Sequence, residues 1–173
     1  RLASDADVKV AVTTFEEWPL EPEPFDLLFA AQSFHWIDPG VRFSKAARAL
    51  GPEGTLAIFA NRPLRGTTPV HLRIQQAYAE HAPELVSRGI DTNTPQNFLK
   101  LFAAARDFRP AQCREYEWRE EYDAARYLAL LRTHSDHRLL PGDRFRGLLG
   151  AVRDAIEANG GRLGVDYVSV LCW

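Results

Sequence analysis

The order of strand and helix patterns along the 173 residues predicts an α/β fold. Residues 25–31 and 55–60 are two nearly continuous apolar runs. Such runs are typical of strands buried on both faces, as in a parallel sheet covered by helices. A helical pattern separates the two runs. Before them, apolar and polar residues alternate at positions 7–12, which predicts a shorter strand. Strand, strand, helix, strand is the order that indicates this fold class.

Turn and cap residues set the predicted limits of the first elements. Prolines at positions 19, 22 and 24 exclude a continuous helix between the first two strands. Asp38 is a suitable N-cap, and Pro39 suits the first position of a helix over residues 38–50. Gly51-Pro52-Glu53-Gly54 ends that helix. Residues 61–69, after the strand at 55–60, are predicted to form a loop.

The second half of the chain continues with helices and two long strands. A helix is predicted over residues 70–86 with a break at Pro83, and Thr94 caps another that ends near Arg106. Residues 108–122 follow a strand pattern, and Asp123 caps the next helix. A last helix begins at Pro141 and ends before Asn159-Gly160-Gly161, ahead of a final strand at residues 166–173.

Composition limits the classes of function. The net charge is -2 and 25% of residues are charged, so nothing in the charge predicts nucleic acid or an anionic membrane as partner. No run approaches 18 apolar residues, and residues 1–5 lack the pattern of a signal peptide. We therefore expect one domain in the cytoplasm, without a membrane span.

The cysteines and histidines do not form a motif of known spacing. Cys113 and Cys172 are expected to be reduced buried thiols, although both fall in predicted strands and a disulfide between them stays open. No metal site is expected, since His71 and His81 stand ten residues apart. The polar run that ends the helix after Asp123 is interpreted as capping; it comprises Thr133, His134, Ser135 and His137.

Two sequence segments carry a resemblance to a known family. Residues 25–39 read FDLLFAAQSFHWIDP, and residues 50–56 read LGPEGTL after the predicted helix. Together they resemble the fourth strand, the following loop and the P-x-G turn of the type 11 small-molecule methyltransferases, a class I group. Residues 10–20 resemble the family's third strand, with Glu16 and Pro19 in phase and a departure at Thr13-Thr14-Phe15.

The resemblance implies a three-layer Rossmann-like sheet of strand order 3-2-1-4-5-7-6, S-adenosylmethionine as cofactor and a small-molecule acceptor. The family begins with a Gly-rich loop between its first strand and helix, where glycines let the backbone approach the cofactor. No G-x-G-x-G occurs in this sequence, and no segment matches strands 1 and 2. We therefore expect residues 1–173 to be a single, partial, N-terminally truncated methyltransferase domain.

A chain without strands 1 and 2 leaves residues 25–31 as an apolar sheet edge. Unpaired apolar edges invite pairing with another chain. Self-association through this strand is therefore predicted.

The resemblance also assigns candidate site residues at the carboxyl ends of the strands, where ligands bind in such folds. His35 is a candidate general base, needed only if the acceptor carries a proton. Asn61 and Arg62 are candidate substrate contacts, and residues 62–108 are expected to form a lid. The candidate cofactor contacts are Thr14, Phe15, Glu16, Ala31, Gln32, Ser33, His35 and Trp36.

Three other interpretations stay open at this point. The missing Gly-rich loop and the departures at residues 13–15 also suit a non-catalytic, methyltransferase-like module that acts through protein association. A hydrolase has little support, because no G-x-S-x-G motif is present. A generic doubly wound domain is left if the His35-Trp36 match arises by chance.

Overall fold

The fold is a four-stranded sheet packed against six helices, seen in a computed structural model that describes residues 8–87 and 93–173. The strands are β1 (Phe25–Ala31), β2 (Leu50–Pro63), β3 (Cys113–Tyr122) and β4 (Leu163–Cys172). The helices are α1 (Arg42–Ala49), α2 (Pro69–His81), α3 (Pro83–Ser87), α4 (Pro95–Ala103), α5 (Ala124–Thr133) and α6 (Gly142–Glu157). No helix in these two described stretches is long and apolar enough to cross a bilayer.

The sheet is mixed, with the strand order β1-β2-β4-β3. β1 and β2 are parallel, and α1 forms the crossover between them. β4 runs antiparallel to both β2 and β3. The α/β class that the apolar runs predicted is confirmed.

The central strand β4 carries two separate apolar cores. Its residues Leu163, Val165 and Tyr167 pack with α2, α5 and α6. Its residues Val168, Val170 and Cys172 pack with α1, α4, β1 and β2. Because successive side chains of a strand point to opposite faces, the sheet lies between two layers of helices.

The strand β1 lies at the edge of the described sheet, as the sequence predicted. Phe25, Leu27 and Phe29 are 40%, 53% and 63% exposed. Phe29 stacks on Phe59 of β2 at 6.2 Å between ring centroids. The edge therefore continues into an open apolar face shared by β1 and β2.

The strand predicted at residues 7–12 is wrong for residues 8–12, which take no regular structure. Residue 7 lies outside the described residues. Val10 and Val12 are 86% and 103% exposed. A strand forms only when a neighbour accepts its backbone hydrogen bonds, and within the described chain this segment has no neighbouring strand.

The first helix begins later than the cap pattern predicted, at Arg42 rather than after Asp38. The Asp38 carboxylate accepts from the Gly40 amide at 2.6 Å, and its carbonyl accepts from the amides of Val41 and Arg42. Asp38 therefore forms a turn before the helix. β2 follows α1 directly, because Leu50 is already paired with Phe25.

Other caps and boundaries agree more closely with the sequence. The Thr94 and Asp123 side chains accept the amides of Asn97 at 3.2 Å and Arg126 at 2.7 Å, which confirms both caps. The break before Pro83 is confirmed by the division between α2 and α3. β3 starts only at Cys113, because Pro110 has no amide hydrogen for the ladder. α4 ends at Ala103, three residues before the predicted end.

The expectation of two reduced thiols is wrong in this structure, which joins Cys113 and Cys172 in a disulfide. The antiparallel register of β3 and β4 places the two residues directly opposite each other, with their Cα atoms 4.1 Å apart. The reason is therefore the pairing register, which the spacing of the cysteines in the sequence did not reveal.

Candidate functional site

A cavity of about 380 Å³ opens at the carboxyl ends of β1 and β2. The loop after β1 and the helix α4 form its walls, and the last buried residues of β2 form its floor. The volume lies in the usual range for small-molecule sites. Its lining residues are Gln32, Ser33, Phe34, His35, Arg42, Ile58, Phe59, Ala60, Asn93, Asn97, Phe98 and Leu101.

Gln32 has an unusual backbone conformation at the mouth of this cavity. Its φ is +53°, the only positive value at a non-glycine residue in the described chain. Two hydrogen bonds hold it there: its amide donates to Phe59 O at 3.0 Å, and its Nε2 donates to Asn61 O at 3.2 Å. A strained residue held by its surroundings is a recurring feature of binding sites.

The loop after β1 contains a single 3-10 turn, Phe34–Trp36, and all three residues of this turn have ring side chains. Phe34 is 3% exposed and meets Phe43 edge-on at 5.2 Å, so it anchors the turn in the core. His35 lies against the cavity and Trp36 points outwards, 65% exposed. Burial lowers the pKa of His35 below its usual value, so its imidazole is neutral at pH 7.

Arg42, the first residue of α1, brings a cation into the cavity wall. Its guanidinium lies over the rings of Phe34 at 5.3 Å and Phe43 at 5.6 Å. Its Nε is buried and has no hydrogen-bond partner in the described residues. A buried donor without a partner costs free energy, and an anionic or carbonyl ligand in the cavity would supply the missing acceptor. Nothing in the sequence alone singled out this arginine.

Helix α4 supplies the opposite wall of the cavity with Asn97, Phe98 and Leu101. Phe98 is buried, whereas Asn97 is exposed at the rim. These residues belong to the segment 62–108 that was expected to form a lid. Its lid function stays a prediction.

Of the residues predicted to contact a cofactor, Gln32, Ser33 and His35 line the cavity. Ala31 immediately precedes them as the last residue of β1. Trp36 belongs to the same turn but faces solvent. The structure therefore gathers the residues that follow β1 at one site.

Thr14, Phe15 and Glu16 lie outside the cavity lining and pack near α1 instead. The Glu16 carboxylate accepts from the Asp38 amide at 2.8 Å. The Lys45 ammonium lies 5.7 Å from the centre of the Phe15 ring and donates to Glu16 O at 2.7 Å. In this structure the segment supports the loop between β1 and α1, and its contact with adenine stays a prediction.

Asn61 and Arg62 were expected in a loop after the strand, and this is wrong: both are paired with β4 inside β2. The strand continues because β4 offers it a partner as far as Tyr167. Asn61 Oδ1 accepts from Ser169 Oγ at 2.7 Å, and Arg62 forms an ion pair with Glu115 at 3.3 Å. Neither residue lines the cavity, and their contact with substrate stays a prediction.

A second, larger cavity of about 610 Å³ lies at the other end of the strands. It is bordered by residues 51–54, near the start of β2, and by Asp107, Arg109 and Trp173. Arg109 there forms an exposed ion pair with Glu53 at 3.2 Å. This cavity lies at the amino end of the parallel strands, where ligands do not usually bind in open α/β sheets.

Known sequences match the amino-terminal third of the chain. Residues 1–58 match the Methyltransferase domain family. Uncharacterized methyltransferases of Mycobacterium bovis and Mycobacterium tuberculosis are 40% identical to this chain over 48 residues, which are 28% of it. The aligned part spans 20% of the length of each mycobacterial protein.

Comparison with solved structures extends over almost the whole chain. A protein from Anaeromyxobacter dehalogenans, described as a type II methyltransferase, superposes with a TM-score of 0.54 at 20% identity, covering 94% of this chain and 69% of that one. At this identity the likeness establishes the shared fold. The fold is thus one that methyltransferases use, and the residues matched to the family include β1 and the loop after it.

Proposed function

We infer that this chain is part of a class I S-adenosylmethionine-dependent methyltransferase, and we propose that it transfers the methyl group to a small-molecule acceptor. The observation that carries the proposal is the cavity after β1. Its lining includes the strained Gln32 and also Arg42, whose buried Nε has no partner among the described residues. The family match over residues 1–58 includes six of the twelve residues that line this cavity.

The strand order supports the proposal. The family order expected from the sequence ends in strands 4-5-7-6, and β1-β2-β4-β3 has the same arrangement when β1 is taken as strand 4. The last strand, β4, lies between β2 and β3, just as strand 7 lies between strands 5 and 6 in the family order. It is antiparallel to both neighbours. Strands 1, 2 and 3 of the order, and the truncation of the domain, stay part of the proposal.

The cavity residues fit one end of the cofactor. S-adenosylmethionine carries a carboxylate, and the Nε–H of Arg42 is a buried donor without a partner among the described residues. Ser33 and Asn97 add polar side chains at the same cavity. Among the residues that the structure describes, no Asp or Glu lines the cavity to hold ribose hydroxyls. The proposed role of this cavity is therefore to hold the amino-acid end of the cofactor.

The chemistry needs positioning more than functional groups from the protein. The bound cofactor supplies an activated methyl group, and holding the acceptor in line with it accounts for much of the rate. His35 is neutral near pH 7 because burial lowers its pKa, so its imidazole can accept a proton. We propose that His35 acts as a base when the acceptor is protonated, and that α4 and its flanking residues cover the acceptor.

Calorimetric titration of S-adenosylhomocysteine tests this proposal. The titration uses two proteins: residues 1–173 alone, and a longer protein that adds any sequence encoded upstream in the gene. We expect S-adenosylhomocysteine to bind. Binding should be tighter when an upstream Gly-rich segment is present, because that segment would hold the adenosine end of the ligand. Absence of binding by both forms would contradict the proposal.

The exposed face of β1 supports a second candidate, a module that acts by association with a second copy of this chain. Phe25, Leu27 and Phe29 form an apolar edge of a kind that soluble monomers seldom leave open. Light scattering over a range of concentrations separates the candidates. A dimer that Phe29→Lys abolishes, together with no cofactor binding, favours the module; a monomer at all concentrations excludes it.

A further inference from the structure

A compact group of metal-ligand atoms lies between the end of α5 and the start of α6, away from the cavity described above. His134, Asp136 and His137 each offer one ligand atom, and these atoms lie within 4.8 Å of one another. A 3-10 turn, His137–Leu139, brings the two imidazoles together at 5.0 Å between ring centroids. We propose that these three residues bind a divalent transition-metal ion such as Zn²⁺.

The ligand set suits zinc and related ions. Zinc prefers imidazole nitrogen and carboxylate oxygen at about 2.0–2.2 Å and takes four ligands in a tetrahedron. Around such an ion, neighbouring ligand atoms stand roughly 3.4 Å apart by that geometry. Small rotations of the exposed His134 and the half-buried Asp136 would close the present spacing.

The surroundings of His137 resemble the support that metal-bound histidines receive. His137 is 5% exposed, its Nδ1 lies 2.7 Å from Asp136 Oδ1, and its Nε2 lies 2.6 Å from the Tyr78 hydroxyl. With a metal on Nδ1, the ring would donate its Nε2–H to the Tyr78 oxygen, fixing the tautomer and the ring plane. Asp136 also accepts from the His137 amide at 2.8 Å, which fixes its carboxylate.

Metal binding needs the carboxylate form of Asp136 and an unprotonated nitrogen on each imidazole. The affinity of the cluster for the ion should therefore fall as the pH is lowered.

The ion would link the end of α5 to the turn before α6 and, through Tyr78, to α2. His134 follows α5, His137 lies in the turn before α6, and Tyr78 belongs to α2. Tyr78 also meets His137 edge-on at 5.6 Å. The proposed role is structural: metal binding would hold α2 against α5 and α6. It does not depend on the methyltransferase function proposed above.

Titration of Zn²⁺ into the metal-free protein, followed by calorimetry and by thermal unfolding, tests the site. We expect one ion per chain, a rise in Tm, and no comparable binding of Mg²⁺, which avoids imidazole ligands. His134→Ala removes an exposed ligand and should weaken binding more than about 100-fold, beyond the range usual for supporting residues. His71→Ala, a histidine bonded to Thr68 elsewhere, is the matched control and should bind as the unaltered chain does.

Two further variants separate a metal site from a purely structural cluster. Asp136→Asn keeps an oxygen that can accept the His137 amide but removes the charge, so it should fold normally and bind zinc far more weakly. Tyr78→Phe keeps all three ligands and should weaken binding by about 10-fold. No zinc binding by the unaltered chain, or binding that survives both His134→Ala and Asp136→Asn, would overturn the proposal.

Discussion

At the residue scale, Arg42 shows how a tertiary contact creates a candidate ligand-binding group. In the sequence it is one of two arginines on a short helix. In the structure its guanidinium lies over two phenylalanine rings and its Nε is buried at the cavity wall. The rings restrict its movement, so its charge is held in place before a ligand arrives.

Arg42→Ala should weaken S-adenosylhomocysteine binding by roughly 10- to 100-fold, the value of a charge-assisted hydrogen bond of about 1.5–3 kcal/mol. Arg42→Lys should give an intermediate loss, because it keeps the charge but not the planar fork. Arg48→Ala changes an exposed arginine on the same helix and is the control. Equal affinities of Arg42→Ala and Arg48→Ala, measured by calorimetry, would exclude Arg42 from the site.

Gln32 stores backbone strain that a substitution series can measure. At its φ of +53° a β-branched side chain is disfavoured, so Gln32→Val should cost about 1–3 kcal/mol in the free energy of unfolding. Gln32→Gly should stay within about 1 kcal/mol, since relief of strain offsets the lost side-chain bond. Ser33→Val, at a φ of -131°, should be nearly neutral. Denaturant titrations with equal losses for both valine variants would refute the strain.

The histidines predict a pH dependence of stability. Burial lowers the pKa of both His35 and His134, so the unfolded chain binds more protons than the folded chain below about pH 6.5. Their contribution is present above that pH and is lost as the pH falls through the folded-state pKa values. We expect Tm to fall between pH 7 and pH 5, and to fall less in a His35→Gln, His134→Gln double variant. An equal fall in both proteins would contradict this.

At the scale of elements, the sequence predicted helix caps, which depend on residues within one turn. It did not predict strand bounds that depend on partners far away in the chain. The caps at Thr94 and Asp123 need only an amide three residues away, and both were found. The strand at residues 8–12 needs a partner strand that the described chain does not offer. Asn61 and Arg62 were misplaced for the converse reason, since β4 extends β2 beyond its apolar run.

The cap of α5 gives a test at this scale. Asp123 accepts the Arg126 amide at 2.7 Å, and α5 buries Leu128 and Leu131 against α6. Asp123→Ala should therefore lower the free energy of unfolding by about 1 kcal/mol, and Asp123→Asn by much less. Thermal or urea unfolding measures the difference. Equal losses in the two variants would show that charge, rather than capping, accounts for the effect.

At the scale of the whole molecule, the candidate site depends on where the chain brings three segments together. The loop after β1 was recognisable from its sequence, and its residues Gln32, Ser33 and His35 do line the cavity. The positions of α4, which forms the opposing wall, and of the cation on α1 could not be predicted from the sequence. No local pattern indicates which helix faces lie at the ends of the strands. The two histidines near Asp136 were likewise interpreted as caps, since only the fold places Tyr78 beside His137.

Hydrogen exchange with saturating S-adenosylhomocysteine shows whether the cavity beside Gln32 and Arg42 holds the cofactor. The protein should be the form that binds in the calorimetric titration. We predict slower exchange in peptides covering residues 30–42 and 93–101. Peptides covering residues 51–54 and 107–112, at the larger cavity, should be unchanged. Protection confined to the larger cavity, or protection that spares residues 30–42, would contradict the account.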